Sequence, residues 1–538
     1  MKAKITRLKK RIAARFPWIV PLYQRLNKPR PFYPIDIPDI HINNNLDFLL
    51  LELPPRYLPM MPNGVGYLHN LLKKSRVNFQ TIDVNIIIYH RYFSNIILNN
   101  LKEIHTPQGN LMVEDPWDVA AEIEWTKDNV VDFFWPQLKE IINRILDKKP
   151  KAVGVSLNGS NRSLASRFLS IVKEKDPEIM IVVGGYDCVY PHIGPFLFQD
   201  FDYMVIGEAE TSFLPVVKAI SKGEKVNDLP GIISRFDTPG RIFEPAPIWE
   251  NLDSLDFPRY EWIPYHYYQT YNRCHLVPIT GSRGCNWGKC RFCAECFPFR
   301  KRSPGSVVDE IEYWTKNGFD SFHFNESDVN GDPQNLYDIC SEIIDRDINV
   351  TMSGQLRIDK RNTKDYFKHL ARAGFCHLRF GIDGWSKNTL KLQRKGYTMK
   401  WVYQNLRDCY RSGIFTTVNM VLGIPGETDN DIDEMIEHIS NLKDAIDLVE
   451  SMNTLILAGG SEYTNNPEKY KIRFRGSKEA IYRRHPYYIP HELWYSEDPF
   501  IDQDVRLKRL DKLCEALQRN GVNLGSFASK VVERLHGT

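Results

Sequence analysis

Four of the ten cysteines fall within twelve residues, and this cluster constrains the chain more than any other feature of its sequence. Cys285, Cys290 and Cys293 form a C-x4-C-x2-C motif, and Cys296 repeats the last spacing. Three thiolates on one tight loop can bind three irons of a [4Fe–4S] cluster and leave the fourth iron open to a small-molecule ligand. The motif therefore predicts a catalytic iron–sulfur site.

Two other interpretations of these cysteines stay open. A structural zinc site needs four ligands in two spaced pairs, and no second C-x2-C pair follows at a suitable distance. Cys296 could be a fourth cluster ligand, which would close the site and make it an electron carrier. The other cysteines show no ligand spacing and are interpreted as small buried hydrophobic residues: Cys188, Cys274, Cys340, Cys376, Cys409 and Cys514.

Strands and helices alternate in the first half of the chain. The apolar runs 48–53, 79–84, 151–157, 180–183 and 203–206 are typical of buried strands, and helical periodicity lies between several of them. This alternation predicts an α/β domain with a Rossmann-like, doubly wound parallel sheet. Ligands of such sheets bind at the carboxyl ends of the strands. The residues there are small or polar and predict a cofactor site: Pro54, Ser156, Leu157, Asn158, Gly184, Gly185, Gly207 and Glu208.

A second series of strands begins near residue 275. Six apolar runs, at 275–280, 321–324, 349–353, 377–382, 416–422 and 448–457, are separated by helical segments. Six such units predict a partial (β/α)6 barrel of the TIM type, with its active site at the carboxyl ends of the strands. The predicted domains are a basic N-terminal helix and linker (1–44), the Rossmann-like domain (45–235), a linker (236–270), the barrel (271–475) and a small helical C-terminal region (476–538).

Charge and hydropathy exclude several classes of protein. Lys and Arg number 70 against 67 Asp and Glu, so no strong positive field predicts nucleic-acid binding. No apolar run is long enough to span a membrane and no signal peptide is evident, so we expect a cytoplasmic protein. Residues 1–30 are basic with apolar residues at helical spacing, which is typical of peripheral membrane contact or of a docked N-terminal helix.

In this arrangement the sequence resembles the radical S-adenosylmethionine (SAM) enzymes, in the branch with an N-terminal cobalamin-binding domain. The resemblance covers about residues 45–475, although the first two cysteines are separated by one residue more than the usual C-x3-C-x2-C. It implies that Cys285, Cys290 and Cys293 bind the [4Fe–4S] cluster and that SAM chelates the open iron. It implies SAM contacts from Phe292 near the adenine, Asn325, Glu326, Ser353, Arg357, Asp383, and the turn of Gly423, Pro425 and Glu427.

The resemblance also implies that the residues at the strand ends of the Rossmann-like domain contact cobalamin. The D-x-H-x-x-G signature that supplies a histidine to cobalt is absent, so bound cobalamin would lack that ligand. A Rossmann-like domain without any cofactor is the alternative.

The function implied by the resemblance is methylation of an unactivated carbon of a small-molecule or peptide substrate in a biosynthetic pathway. An electron donor such as flavodoxin or ferredoxin would reduce the cluster. The alternatives are cobalamin-linked cyclisation, rearrangement or oxidation without methyl transfer, and, from other classes, an iron–sulfur electron carrier or a zinc-stabilised nucleic-acid module. No residue of the sequence separates methyl transfer from the other radical outcomes.

Overall fold

The computed structural model describes residues 8–9, 12, 37, 39–56, 58, 60–99, 101–112, 115–117, 125, 127–191, 194–268, 276–295, 297–485 and 487–525. Cys274, Cys296 and most of the basic segment 1–30 lie outside the described residues. The described chain divides into two compact units, of which the first holds residues 37–250 and 254–268, and the second holds 251–253 and 276–525. No helix among the described residues is long and apolar enough to cross a membrane.

The first unit is built on a six-stranded sheet with the order β2-β1-β3-β4-β5-β6. Strands β1 to β5 are parallel, and β6 is antiparallel to β5. The sheet is the predicted Rossmann-like one, and the chain reverses its strand order between β1 and β3. The strands are β1 (Phe48–Glu52), β2 (Phe79–Asp83), β3 (Ala152–Ser156), β4 (Met180–Gly184), β5 (Tyr203–Val205) and β6 (Ile232–Ser234).

Helices cover the faces of this sheet, and the strands are apolar for that reason. Every residue of β1 is buried, as expected for a strand with helices on both faces. In α3, buried residues recur every three or four positions from Val130 to Ile145, so one face packs inward. The helices are α1 (Asn63–Ser75), α2 (Val84–Leu98), α3 (Asp128–Lys148), α4 (Arg162–Lys175), α5 (Gly194–Leu197) and α6 (Phe213–Ser221).

The second unit contains a six-stranded sheet in which all neighbouring strands are parallel, with the order β14-β13-β12-β11-β10-β7. A series of six strands that does not close on itself confirms the predicted partial barrel. The strands of this part are β7 (Val277–Ile279), β8 (Ser282–Arg283), β9 (Arg300–Lys301), β10 (Ser321–Phe324), β11 (Thr351–Leu356), β12 (Phe375–Asp383), β13 (Phe415–Leu422) and β14 (Leu448–Thr454).

Side-chain caps begin most helices of the barrel. Asp332 caps the backbone of the helix after β10, and Ser386 and Thr428 form capping boxes after β12 and β13. These caps fix the turns at the carboxyl edge of the sheet. The helices are α7 (Pro304–Lys316), α8 (Pro333–Asp345), α9 (Lys364–Ala373), α10 (Lys387–Leu392), α11 (Met399–Arg411) and α12 (Asp429–Asn441).

The C-terminal region was predicted to be helical, and it also contains short antiparallel strands. Strand β15 pairs with β17, and β16, β18 and β19 form a three-stranded sheet. Trp494 of β18 is fully buried in a core with Tyr463 and Ile489. The elements are β15 (Leu457–Ala458), α13 (Glu462–Asn465), β16 (Ile472–Phe474), α14 (Lys478–Arg484), β17 (Tyr488–Ile489), β18 (Trp494–Glu497), β19 (Phe500–Ile501) and α15 (Gln503–Arg519).

Candidate active site

The three motif cysteines lie on the loop between β8 and β9, at the carboxyl edge of the barrel sheet. All three are free thiols, with Cys285 and Cys290 half-buried and Cys293 exposed. Gly284 begins the loop in a left-handed conformation (φ 76°), and a Cβ there would collide with the backbone of Phe297 and Pro298. The backbone N–H of Glu295 donates to Cys293 Sγ at 3.4 Å. The loop therefore turns tightly around the thiols, as a cluster loop must.

The spacing of the thiols distinguishes a cluster from a single ion. Among the described residues, no three His, Cys, Asp or Glu side chains lie close enough together to hold one metal ion. Zinc would bring its ligands to about 2.0–2.3 Å from one centre, whereas each thiolate of a [4Fe–4S] site binds a different iron. Three thiols without a fourth ligand beside them among the described residues are the donor set of a three-cysteine cluster, whereas a structural zinc site needs four ligands.

The cluster loop is held against the segment that follows β12. Trp287 Nε1 donates to the carbonyl oxygen of Arg394 at 2.8 Å, and Arg291 Nη1 donates to that of Leu392 at 2.9 Å. Gly396 is left-handed (φ 79°), and the Trp287 ring occupies the space that a Cβ at residue 396 would need. Trp287, which lies between the first two cysteines, thus occupies a space that only glycine at residue 396 leaves open.

A buried lysine lies beside the loop and was not among the predicted site residues. Lys395 Nζ donates to Asp383 Oδ2 at 2.6 Å and to the carbonyl oxygen of Gly381 at 2.9 Å. The ammonium is 5.4 Å from the centre of the Phe292 ring. Burial acts to lower the pKa of Lys395, but the Asp383 carboxylate outweighs it and the pKa is raised. The predicted SAM residue Asp383 is thus already in an ion pair.

Arg357 follows β11 and carries an unpaired buried donor. Its Nη2 donates to the carbonyl oxygen of Lys395, and its guanidinium lies 4.7 Å from the centre of the Trp287 ring. Its Nε is buried without a hydrogen-bond partner. An unpaired buried donor costs about 1–3 kcal/mol, and a carboxylate ligand would satisfy it. The residue therefore fits the predicted contact with the SAM carboxylate.

The same guanidinium acts on the cluster loop electrostatically. Burial raises the pKa of the Cys290 thiol, and Lys395 and Arg357 oppose that rise. A thiol whose pKa is raised keeps its proton more readily, so iron must displace that proton when it binds, and the two cations favour the thiolate form of Cys290.

Glu326, predicted to meet the SAM amino group, holds the turn in front of the cysteines. Its Oε1 accepts from the backbone N–H of Gly281 at 2.7 Å, and Oε2 accepts from the Ser282 hydroxyl. Burial raises the pKa of Glu326 to about 7. Asn325 is exposed beside it. Asp328 belongs to the same polar segment after β10, and its carboxylate accepts the backbone N–H of Arg357 at 3.1 Å, which positions that arginine.

Ser353 lies deeper than predicted because β11 continues three residues past the predicted strand end. Its hydroxyl is 2.9 Å from His323 Nδ1, in the middle of the strand and not at the edge. On β13, Asn419 Oδ1 is buried without a partner, and sequence analysis did not find it. A lone asparagine within an apolar strand gives no sequence signal for a site.

The predicted adenine-contacting turn is held by the last helix. Glu427 Oε1 accepts from the backbone N–H of Gly423 at 2.8 Å and from Arg509 Nη1 at 3.2 Å. Gly423 is left-handed (φ 72°), and the Arg506 side chain fills the position of a Cβ there. Pro425 is buried within the turn. Glu427 therefore supports the turn from within the protein.

The first unit has its own cleft at the carboxyl ends of its strands. The cleft has an empty volume of about 370 Å³ and lies between the sheet and the side chains of Leu68 (α1) and Phe213 (α6). Gly185 is left-handed (φ 97°), and a Cβ there would lie 2.6 Å from Ser156 Oγ. Four predicted cofactor residues line the cleft: Ser156, Gly184, Gly185 and Gly207. The cleft is narrow and mainly apolar, and the glycines along its wall leave room for the flat part of a ligand.

The other predicted cofactor residues of this unit do not line the cleft. Asn158 Oδ1 accepts from the backbone N–H groups of Ser160 and Asn161, so its carbonyl stabilises the turn after β3. Leu157 is buried. Pro54 and Glu208 lie at the same edge of the sheet, after β1 and β5.

Comparison with protein families assigns the second unit. Residues 279–439 match the Radical SAM superfamily, and this range includes the cysteine loop and strands β8 to β13. Residues 279–439 thus match a radical SAM domain. Members of this superfamily bind SAM at a [4Fe–4S] cluster, in agreement with the cysteine loop and the residues around it.

Two curated relatives have different named activities. The chain is 24% identical over 322 residues to an uncharacterised methyltransferase of Pyrococcus horikoshii, covering 58% of this chain and 68% of the relative. It is 28% identical over 316 residues to the anaerobic magnesium-protoporphyrin IX monomethyl ester cyclase of Rubrivivax gelatinosus, covering 55% of each. The chain thus spans between about half and two thirds of the length of these relatives.

Two solved structures share the fold. The radical SAM methyltransferase TsrM of Kitasatospora setae, with tryptophan and a SAM analogue bound, has a TM-score of 0.59 at 18% identity, covering 80% of this chain and 79% of TsrM. The cobalamin-dependent SAM radical enzyme OxsB, with aqua-cobalamin and SAM bound, has a TM-score of 0.65 at 14% identity, covering 93% and 72%. The likeness extends over both units.

Proposed function

We propose that this protein is a cobalamin-dependent radical SAM enzyme that methylates an unactivated carbon of a biosynthetic substrate. The observation that carries the proposal is the unpaired, buried Nε of Arg357 beside the three-cysteine loop. A cluster that only carried electrons would not need an open carboxylate site next to its ligands. A site for an amino acid group beside an open iron is what SAM chelation requires.

The chain's own residues prepare the site in four ways. Cys285, Cys290 and Cys293 would hold the cluster, and Trp287 packs the loop against the segment after β12. Arg357 would bind the SAM carboxylate, and Asp328 positions the backbone of that arginine. When bound, the cluster supplies the electron that cleaves SAM, and cobalamin supplies the transferable methyl group.

The cleft of the first unit supports the cobalamin part of the proposal. Its glycine-rich edge leaves room for a bulky cofactor at the ends of β3, β4 and β5. TsrM and OxsB are cobalamin enzymes with this fold. We propose further that an electron donor such as flavodoxin or ferredoxin reduces the cluster, and that residues 1–30 contact a membrane surface peripherally.

A second candidate is a radical cyclisation without methyl transfer. It is favoured by the relative of Rubrivivax gelatinosus, whose name is that of a cyclase. Both candidates need the same cluster, SAM and cobalamin, so the test must follow the methyl group.

The experiment is anaerobic reconstitution with iron, sulfide and hydroxocobalamin, followed by metal analysis and SAM turnover under reduction. We expect about four irons and one cobalt per chain, with formation of 5′-deoxyadenosine and, from SAM labelled in its methyl group, labelled methylcobalamin. Iron and SAM cleavage without cobalt would reject the cobalamin mechanism. Zinc in place of iron, or a cluster inert to SAM, would reject the radical SAM proposal.

A further inference from the structure

The inner face of the barrel sheet is polar, although barrel interiors are ordinarily filled by branched aliphatic side chains. On β12 the alternating residues His377 and Arg379 are half-buried, while Leu378 and Phe380 between them are buried. The same alternation on the neighbouring strands gives half-buried polar residues: Ser321, His323, Ser353, Gln355, Asn419 and Glu450. A lining of this kind indicates a hydrated space inside the partial barrel, which we call the lumen.

An ion pair lies at the centre of this lining. Arg379 Nε donates to Glu450 Oε2 at 2.8 Å, and Nη2 donates to the other carboxylate oxygen. The Thr417 hydroxyl also donates to Glu450 Oε2, at 2.9 Å, and lies 3.0 Å from His377 Nε2. Two hydrogen bonds from one guanidinium and a third from the threonine fix the orientation of both charged groups.

The pair leaves one end of the guanidinium available. The side chain of Arg379 is 40% exposed, and its Nη1 makes no hydrogen bond to the described residues. Because Nε and Nη2 are occupied by Glu450, Nη1 is the donor that is left for a ligand. A donor held in place before binding costs little entropy when a ligand arrives.

The hydrogen bonds of the lumen favour an anionic ligand. Along the described strands β10 to β14, the inward-facing acids are Glu450 and Asp383, and each is paired with a cation, Arg379 or Lys395, so that these charges cancel. Both carboxylate oxygens of Glu450 already accept hydrogen bonds, whereas Arg379 Nη1 donates none to the described residues. The donor that is left for a ligand therefore suits a carboxylate or a phosphate.

The ion pair of Arg379 and Glu450 lies below the carboxyl edge of the barrel sheet. Arg379 and Asp383 are four residues apart on β12, which corresponds to about 13 Å along a regular strand, and an irregularity between Phe380 and Asp383 interrupts the pairing with β13. Asp383 marks the carboxyl edge, where Lys395 and the cysteine loop meet. A small molecule held at Arg379 would extend from there toward that edge.

We propose that Arg379 binds an anionic group of the substrate, a carboxylate or a phosphate, and that Glu450 and Thr417 hold its guanidinium in position. This inference rests on the proposed function, since it concerns the substrate of the same reaction. It makes Arg379 a specificity-determining residue and not part of the SAM site.

The test uses acetate and inorganic phosphate as probes of the reconstituted full chain, without reductant and with saturating SAM so that the carboxylate site proposed at Arg357 is occupied. Binding is followed by saturation-transfer ¹H NMR for acetate and by ³¹P line broadening for phosphate. We expect Arg379→Gln to weaken binding of at least one probe by about tenfold or more, and the probe affected tells carboxylate from phosphate. The matched control is Arg346→Gln, which removes an arginine from exposed ion pairs on α8 and should leave binding unchanged.

Several results would overturn the inference. Equal binding of both probes by Arg379→Gln and the unaltered chain would reject the site, and so would methylammonium binding that Glu450→Gln abolishes. If circular dichroism shows that Arg379→Gln does not fold, Arg379→Lys is used instead. This variant keeps the positive charge but loses the planar set of N–H donors, so it should bind the probe more weakly than the unaltered chain does. Probe binding at Arg379 in a chain that cannot cleave SAM would reject the proposed function alone, whereas SAM cleavage without probe binding would reject this inference alone.

Discussion

Arg357 shows how a single side chain can reveal a missing ligand. Its Nη2 is paired with a backbone carbonyl and its guanidinium lies near the rings of Trp287 and Tyr397, yet its Nε is buried and unpaired. Folding would not select such an arrangement for stability, because the lost hydrogen bond costs about 1–3 kcal/mol. The cost is recovered if a carboxylate binds there.

We therefore predict that Arg357→Gln impairs SAM binding. Loss of a charge-assisted hydrogen bond should raise the KM for SAM about 10- to 100-fold in the 5′-deoxyadenosine assay. Iron content should stay near four per chain, because Arg357 is not a cluster ligand. An unchanged KM would contradict this role, and Arg361→Gln, whose ion pair is with Asp359 on the surface, is the control.

The cysteines give a second prediction at the same scale. Cys293→Ser should remove a cluster ligand, lower the iron content and abolish SAM cleavage. Cys296→Ser should keep the iron content and the cleavage of SAM, because the other three cysteines bind three irons and leave the fourth iron open for SAM. Loss of the cluster in Cys296→Ser would instead make Cys296 a ligand and favour an electron carrier.

At the scale of elements, the turn between β7 and β8 depends on the buried carboxyl of Glu326. Its pKa of about 7 in the folded protein exceeds the ordinary value, so the folded state binds the proton more tightly than the unfolded state. Protonated Glu326 therefore stabilises the folded state. Its contribution to the free energy of unfolding, up to about 3 kcal/mol, is fully present below about pH 4.5 and is lost as the pH rises through about 7. Thermal unfolding of Glu326→Gln should therefore depend less on pH in this window.

The comparison of the two pH curves isolates Glu326, because every other group titrates in both proteins. Glu427, whose pKa is also raised to about 7, is one such group. Parallel curves between pH 4.5 and 7 would show that the Glu326 carboxyl does not titrate there.

The docking of the cluster loop gives a further prediction. Gly396→Ala should place a Cβ against the Trp287 ring and displace the loop, which lowers iron retention after reconstitution. Gly318→Ala is the matched control, since Gly318 is also left-handed (φ 88°) but has no atom within 4 Å of a Cβ. The control carries only the backbone strain, about 1–3 kcal/mol. Equal iron content in both variants would exclude a role for the Trp287 contact.

The sequence predicts those elements whose pattern is local. The alternation of apolar runs identifies both parallel sheets, and cysteine spacing identifies the cluster loop. Helix α2 was missed because its apolar residues are not confined to one face, and the strands around Trp494 were missed because they are two to four residues long. Trp287 contacts Arg394, and Lys395 contacts Phe292, only when the cluster loop docks, and no local pattern encodes these contacts.

At the scale of the whole molecule, each unit presents its functional residues at the carboxyl edge of a parallel sheet. In the first unit these are glycines that leave room for a cofactor, and in the second they are thiols and cations that would hold one. The two sets have no residue in common. A substitution that blocks the cofactor site of one unit therefore leaves the proposed cofactor ligands of the other unit unchanged.

The last prediction follows from the separation of the two proposed cofactor sites. Ala209 lines the cleft of the first unit, and Ala209→Trp should fill much of it with an indole. We expect cobalt per chain to fall from about one toward zero after reconstitution, while iron content and the reductive cleavage of SAM persist, because the cysteine loop and Arg357 belong to the second unit. Ala209→Ser changes little volume and should bind cobalamin normally. Full cobalt binding by Ala209→Trp would show that the cofactor does not use this cleft. We expect methyl transfer to be lost only in the variant that has lost cobalt.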